Sequence, residues 1–169
     1  ILMSTQYGGK QYERLERQIS TTMLGGIAFS AVVAVILIIF AYPLLRLLQV
    51  PEDIIHSAVI YLRIVFAGLI FTFIYNFFSN TLRAMGDSKV PLYFLIISAL
   101  LNVVLDLFFV VVIQWGVPGS AVATMLSEAL CCLFCLIYIQ KKIPLLCLGK
   151  KWLVFDVKIL WKTFTYGIT

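Results

Sequence analysis

Residues 18–45 form a run of 28 positions without one acidic or basic side chain. As a helix rising 1.5 Å per residue, such a run is longer than the roughly 30 Å hydrocarbon core of a bilayer. The pattern recurs. Residues 64–82 carry no charge, and residues 90–127 carry only Asp106. Inside the latter, Gly116-Val117-Pro118-Gly119-Ser120 reads as a turn between two helices, the second continuing past Glu128 to about Gln140. The expectation is an all-α, polytopic membrane helix bundle with spans at about 19–45, 54–83, 89–114 and 119–140. A transmembrane β-barrel would need ten-residue alternating segments, which do not occur. Hydrophobic residues make up 62% of the chain and charged ones 12%. Soluble proteins have roughly 45–50% and 25%, so disorder, most soluble enzymes and a free nucleic-acid-binding domain are excluded.

Helix punctuation agrees with the spans. Pro51-Glu52-Asp53 suits the first turn of the second helix, where a missing N–H costs little and acids favour the dipole. Gly86 is placed as a left-handed cap, Ser88 or Asp87 as the following N-cap, and Pro91 in the next first turn. The chain begins at Ile1 with no signal-peptide pattern and turns apolar again over 164–169. Both ends read as cut, so a piece of a longer polypeptide is expected, with 141–169 a cytoplasmic loop leading to a further helix.

The net charge of +5 is a matter of sidedness. Lys10, Arg14 and Arg17 precede the first span, Arg83 and Lys89 flank the second loop, and Lys141, Lys142, Lys150 and Lys151 follow the fourth span. Only Arg46 and Arg63 belong to the other side. By the positive-inside rule the first group is cytoplasmic, in a multi-pass protein of the cell membrane. The basic residues then meet anionic lipid head groups, and no nucleic-acid partner is expected.

Intramembrane polar residues carry the functional signal. A carboxylate such as Asp106 at mid-depth costs about 2.5–3.5 kcal/mol unless it is paired or hydrated. Asn102 is one turn earlier on the same face. An amide oxygen and a carboxylate suit Na⁺ or a proton better than a soft metal. Burial favours the protonated acid and a bound cation the ionised one, so Asp106 has the chemistry of a coupling site. A plain interhelical hydrogen bond is the alternative. Glu128 is a second intramembrane acid, one turn beyond Thr124, or else a snorkelling interfacial one. Tyr61, Tyr75 and Asn76 are polar points on the second span, with an interfacial aromatic belt as the other account of Tyr61. Gly119, Ser120, Ala121, Ala123 and Thr124 form a small-residue face for close helix packing. Cys132-x-x-Cys135, with Cys131 and Cys147, has no neighbouring histidine or second pair and reads as packing. His56 lies in an outward loop, and no nucleophile–base pair suggests an enzyme.

These residues occur in a recognisable order. Tyr61-Leu62-Arg63-Ile64, Tyr75-Asn76, Leu82-Arg83-Ala84-Met85-Gly86-Asp87-Ser88-Lys89-Val90-Pro91, Asn102-Val103-Val104-Leu105-Asp106 and Gly116-Val117-Pro118-Gly119-Ser120-Ala121-Val122-Ala123-Thr124 together resemble the bacterial multidrug and toxic compound extrusion family. The resemblance implies helices three to six of a twelve-helix, two-lobe antiporter that exports amphipathic, often cationic drugs or toxic metabolites. It implies a cation or proton site at Asn102, Asp106 and Thr124, with Asp106 and Asn102 the Na⁺ candidates. Tyr61, Asn76 and Glu128 would line the cavity or bind substrate. Na⁺ or H⁺ would be the coupling ion and no cofactor is implied. The remaining helices of the full transporter and the lipid bilayer would be the partners. Glu128 departs from the glutamine that the motif leads one to expect. A lipid-linked saccharide flippase of a related branch and a non-transporting structural subunit are the alternatives.

Overall fold

The structure is a computed structural model that describes residues 2–142. The expectations for 143–169, among them the cytoplasmic loop, Lys150, Lys151 and Cys147, lie outside the described residues. The chain forms α1 (Leu2–Gly8), α2 (Tyr12–Leu47), α3 (Glu52–Ala84), α4 (Lys89–Asp106) and α5 (Gly116–Lys142). A π-helical stretch, Leu107–Val112, continues α4 without a break. The helices Tyr12–Leu47, Glu52–Ala84, Lys89–Val112 and Gly116–Lys142 are long and apolar enough to cross a membrane. In hydrocarbon a backbone must satisfy its own polar groups, which is why runs rich in β-branched residues are helical here.

Two boundaries differ from expectation. α2 starts at Tyr12, so Glu13, Arg14, Glu16 and Arg17 ride on a helix and not on a loop. The run 116–120 is the first turn of α5, and the chain reverses just before it, at residues 113–115. Proline is tolerated in a first helical turn, so Pro118 opens this helix and does not separate two.

Both inter-helix joints on the α3 side end in Schellman motifs. After α3, Gly86 has φ of 93°, its N–H donates to the Arg83 carbonyl, and the Asp87 N–H donates to that of Leu82. Asp87, and not Ser88, then caps α4: its Oδ1 accepts from the N–H groups of Lys89 (3.1 Å) and Val90 (3.2 Å). After α2 the same bonds run from Gln49 to Arg46 and from Val50 to Leu45, with Gln49 at φ of 57°. A side chain in that region is strained by roughly 1 kcal/mol where glycine is not. Gln49→Gly is therefore expected to raise stability by up to about 1 kcal/mol, read as a higher unfolding temperature in detergent; an unchanged or lower temperature would refute it.

α3 packs between α2 and α5, and α4 packs chiefly on α5. One apolar cluster joins Leu15, Ile19 and Met23 of α2 to Phe77, Phe78 and Leu82 of α3 and to Cys135 and Ile139 of α5. A smaller one holds Ala41, Leu45 and Val59 at the other end. Glycine permits a close α2–α3 approach: a Cβ at Gly26 would overlap the ring of Phe73, which itself stacks on Phe77 with centroids 6.1 Å apart. Polarity is arranged inside out. Gln18, Ser20, Thr21, Ser79, Thr81 and Ser127 are buried, while Leu100 and Val104 of α4 and Leu107 and Val111 of the π-helical stretch are exposed. In lipid the apolar surface needs no cover, and small or polar side chains hold the helices together.

Candidate cation site

The site lies where α4 and α5 run antiparallel. The reversal between them uses two left-handed residues, Gln114 and Gly116, both with φ of 60°. The Ile113 N–H donates to the Phe108 carbonyl and the Trp115 N–H to that of Phe109, each at 3.0 Å. The first of these spans five residues, the π pattern. The Trp115 ring stacks on Phe109 with centroids 5.4 Å apart. Gly119 lies against both: a Cβ there would be 3.0 Å from the Trp115 Cβ and 3.2 Å from the Phe109 carbonyl oxygen. The small residues opening α5 thus seat the π-helical stretch closely.

Asp106 is the last residue before that stretch. Its Oδ1 is buried and has no hydrogen-bond partner. One turn back, the Asn102 side-chain N–H donates to Thr124 Oγ1 of α5 at 3.3 Å, and the Thr124 hydroxyl donates to the Ser120 carbonyl at 3.1 Å. With its nitrogen engaged, Asn102 retains its amide oxygen, and Thr124 retains an oxygen lone pair. A carboxylate one turn from an amide and a hydroxyl that meet across two helices offers hard oxygens of the kind that suit Na⁺ or a proton. A buried carboxylate oxygen without a partner costs about 1–3 kcal/mol or more, which a proton or cation would relieve.

The other residues singled out in the sequence are distributed differently. Glu128, on α5, turns to α3: its Oε2 accepts from the Thr72 hydroxyl at 2.6 Å. A Cβ at Gly68, one turn before Thr72, would be 3.2 Å from that same carboxyl oxygen. Asn76 is exposed and its side-chain N–H donates to the Thr72 carbonyl at 2.9 Å, on its own helix. Tyr61 is partly buried in α3. The Tyr75 hydroxyl donates to the Pro91 carbonyl at 3.1 Å and ties α3 to the start of α4. Arg63 Nε donates to the Ile38 carbonyl of α2 at 3.3 Å. Cys131, Cys132 and Cys135 are free, buried thiols, and the Cys131 thiol contacts the Phe94 carbonyl at 3.3 Å.

Thr72 escaped the sequence reading. The available signal was its spacing, Gly68, Thr72 and Asn76 falling one turn apart on one face of α3. What that face meets depends on how α5 lies across it.

Comparison with known proteins places this geometry in context. The MatE family model matches residues 1–108. The "Probable multidrug resistance protein YoeA" of Bacillus subtilis (strain 168) is 37% identical over 147 residues, covering 84% of this chain and 32% of that protein. Among solved structures, the inward-facing conformation of a multidrug resistance MATE family transporter of the MOP superfamily matches with a TM-score of 0.89 at 20% identity, over 98% of this chain and 38% of that one. The outward-facing conformation of a transporter so described matches with a TM-score of 0.87, also at 20% identity, over 98% and 37%. The chain spans about a third of the length of the proteins it matches.

Proposed function

Because this chain belongs to the MatE family, we propose that it forms most of the N-terminal lobe of a cation-coupled multidrug antiporter, with α2 to α5 as helices three to six of twelve. The family assignment, the printed name of the Bacillus subtilis relative and the one-third coverage support this reading. The similar fit to an inward-facing and an outward-facing structure supports these helices moving as one body. In alternating access, one such body rocks against another around a central site. The transporter lies in the cell membrane. The segment before α2, the joint between α3 and α4 and the chain after α5 face the cytoplasm, as their lysines and arginines indicate.

The observation that carries the proposal is the buried, unpartnered Oδ1 of Asp106 beside the Asn102–Thr124 pair. Na⁺ or H⁺ arriving from outside is held by Asp106, with the Asn102 amide oxygen and Thr124 Oγ1 as further donors. Occupancy neutralises the carboxylate and biases the lobes, and an amphipathic, often cationic substrate leaves as the state changes. A ligand shifts such an equilibrium only through its differential affinity for the two states. Tyr61 and the exposed Asn76 are assigned to the substrate cavity, completed by the remaining helices.

The direct test is uptake of a fluorescent cationic dye into vesicles holding the complete polypeptide that carries this segment. An imposed Na⁺ or H⁺ gradient is expected to drive it; movement indifferent to both gradients would refute coupling. Thr124→Val, which keeps the shape and removes the hydroxyl, breaks a bond worth about 1 kcal/mol. It is expected to raise the half-saturating ion concentration roughly fivefold, with maximal rate little changed. An unchanged ion dependence would remove Thr124 from the site.

A further inference from the structure

We propose that the N-terminal half of α3 is a docking face for another membrane helix of the same polypeptide, and that this helix carries a carboxylate opposite Arg63. The proposal draws on the one-third coverage described above and is independent of the Asp106 reading. What the helices expose sets α3 apart. α2 exposes Phe29, Ile36 and Phe40, and α5 exposes Leu133 and Phe134. After Ile54, in its first turn, α3 exposes no large apolar side chain. Beyond that turn, the exposed residues of its N-terminal half are His56, Arg63 and Ala67. With Glu52 they are spaced by four, seven and four residues, which places them in one stripe of the helix. A face turned to lipid is apolar, as on α2 and α5, whereas an arginine and a small residue belong where another helix lies. Ala67 in particular lets a neighbouring backbone come close.

Arg63 fixes the chemistry of the partner. Its Nε donates to the Ile38 carbonyl of α2 at 3.3 Å. Ile38 is seven residues, about 10 Å along the helix, from the end of the charge-free run 18–45. The guanidinium thus reaches across to α2 and not along α3 toward the membrane surface. It has five N–H donors, and beyond Nε none has a partner among the described residues. Its Nη1–Nη2 edge is a two-donor fork that matches a carboxylate. Glu52, the acid of the same stripe, is eleven residues and about 16 Å away along the helix, too far to fill that fork. An arginine within a membrane helix is costly unless it faces protein or water and is paired. The described residues hold no such pair, and the chain is about a third of the length of the proteins it matches. The carboxylate therefore comes from the helices that complete the bundle.

The experiment uses the complete polypeptide reconstituted in lipid. A small diazirine-bearing residue introduced at Ala67 is activated by light, and the labelled peptide is identified by mass spectrometry. A peptide of the same chain from outside residues 1–142, drawn from an apolar helix that contains Asp or Glu, is expected. Label on lipid alone, or on a second copy of the chain, would overturn the proposal. Separately, Arg63→Glu is expected to lower the yield of folded protein by about tenfold or more, as breaking a buried ion pair does. Changing the acid of the labelled helix to arginine should restore that yield in the Arg63→Glu background. Wild-type yield of Arg63→Glu, or failure of every such exchange to restore it, would remove the ion pair. Arg63→Gln is compared in phosphatidylglycerol and phosphatidylcholine vesicles, with the same loss of thermal stability expected in both. A loss confined to the anionic lipid would assign Arg63 to lipid phosphate and sink the docking face. The labelling result stands whether or not Asp106→Asn retains transport, so the two readings fail separately.

Discussion

Replacing Asp106 by asparagine in the complete polypeptide is expected to leave membrane abundance normal and to reduce drug export to that of cells lacking the gene. Asparagine matches aspartate in shape, so the packing of α4 on α5 is retained. Insertion becomes easier, since a carboxylate at mid-bilayer costs about 2.5–3.5 kcal/mol. What is lost is the ability to hold a proton or to neutralise a cation. Swinging a two-state equilibrium from 1:99 to 99:1 takes a differential affinity of about 10⁴, or roughly 5.5 kcal/mol. An amide cannot supply a charge-dependent term of that size. Drug accumulation, resistance and membrane abundance are measured side by side. Wild-type resistance with wild-type ion dependence would show that Asp106 is a structural residue.

The second large effect falls on folding. Gly26→Leu is expected to abolish recoverable folded protein, and Gly26→Ala to cost about 1–3 kcal/mol, the usual penalty of overpacking. A Cβ at Gly26 overlaps the ring of Phe73, and that ring cannot simply swing away because Phe77 stacks on it and meets Phe78 edge-on. Phe73→Leu should rescue Gly26→Ala in part, since a smaller side chain makes room. Gly8 has nothing within 4 Å of its added Cβ and serves as the control position. The measurement is the yield of monodisperse protein in detergent with its unfolding temperature. A Gly26→Leu protein that melts like the original would show that α2 and α3 do not approach this closely.

The four membrane helices were legible because a charge every few residues is what a soluble chain needs and these stretches lack. The joint after α3 was legible too, since Gly86 and Asp87 mark a Schellman cap and an N-cap by chemistry that is local in sequence. Asn102 and Asp106 could be placed on one face by spacing alone. That Thr124 meets Asn102 could not, because the pairing depends on how far α4 and α5 are offset, and packing sets that offset. Thr72 was missed for a similar reason: a threonine among phenylalanines gains meaning only when another helix brings Glu128 to it. The π-helical stretch had no local signature, since Leu107–Val112 is as apolar as its neighbours. It is made by the seat that Gly119 provides and by the stacking of Trp115 on Phe109.

That stretch has a consequence for phase. Successive residues of an α-helix are turned by about 100°, so a regular helix has no freedom to choose where its two halves look. By widening one turn, the residues after Asp106 take up a surplus position before the chain reverses. Asn102 faces Thr124, and beyond the widened turn Phe109 and Trp115 close over Gly119. Six residues act as a vernier, setting how far round the chain has turned when it reaches Trp115 and enters α5.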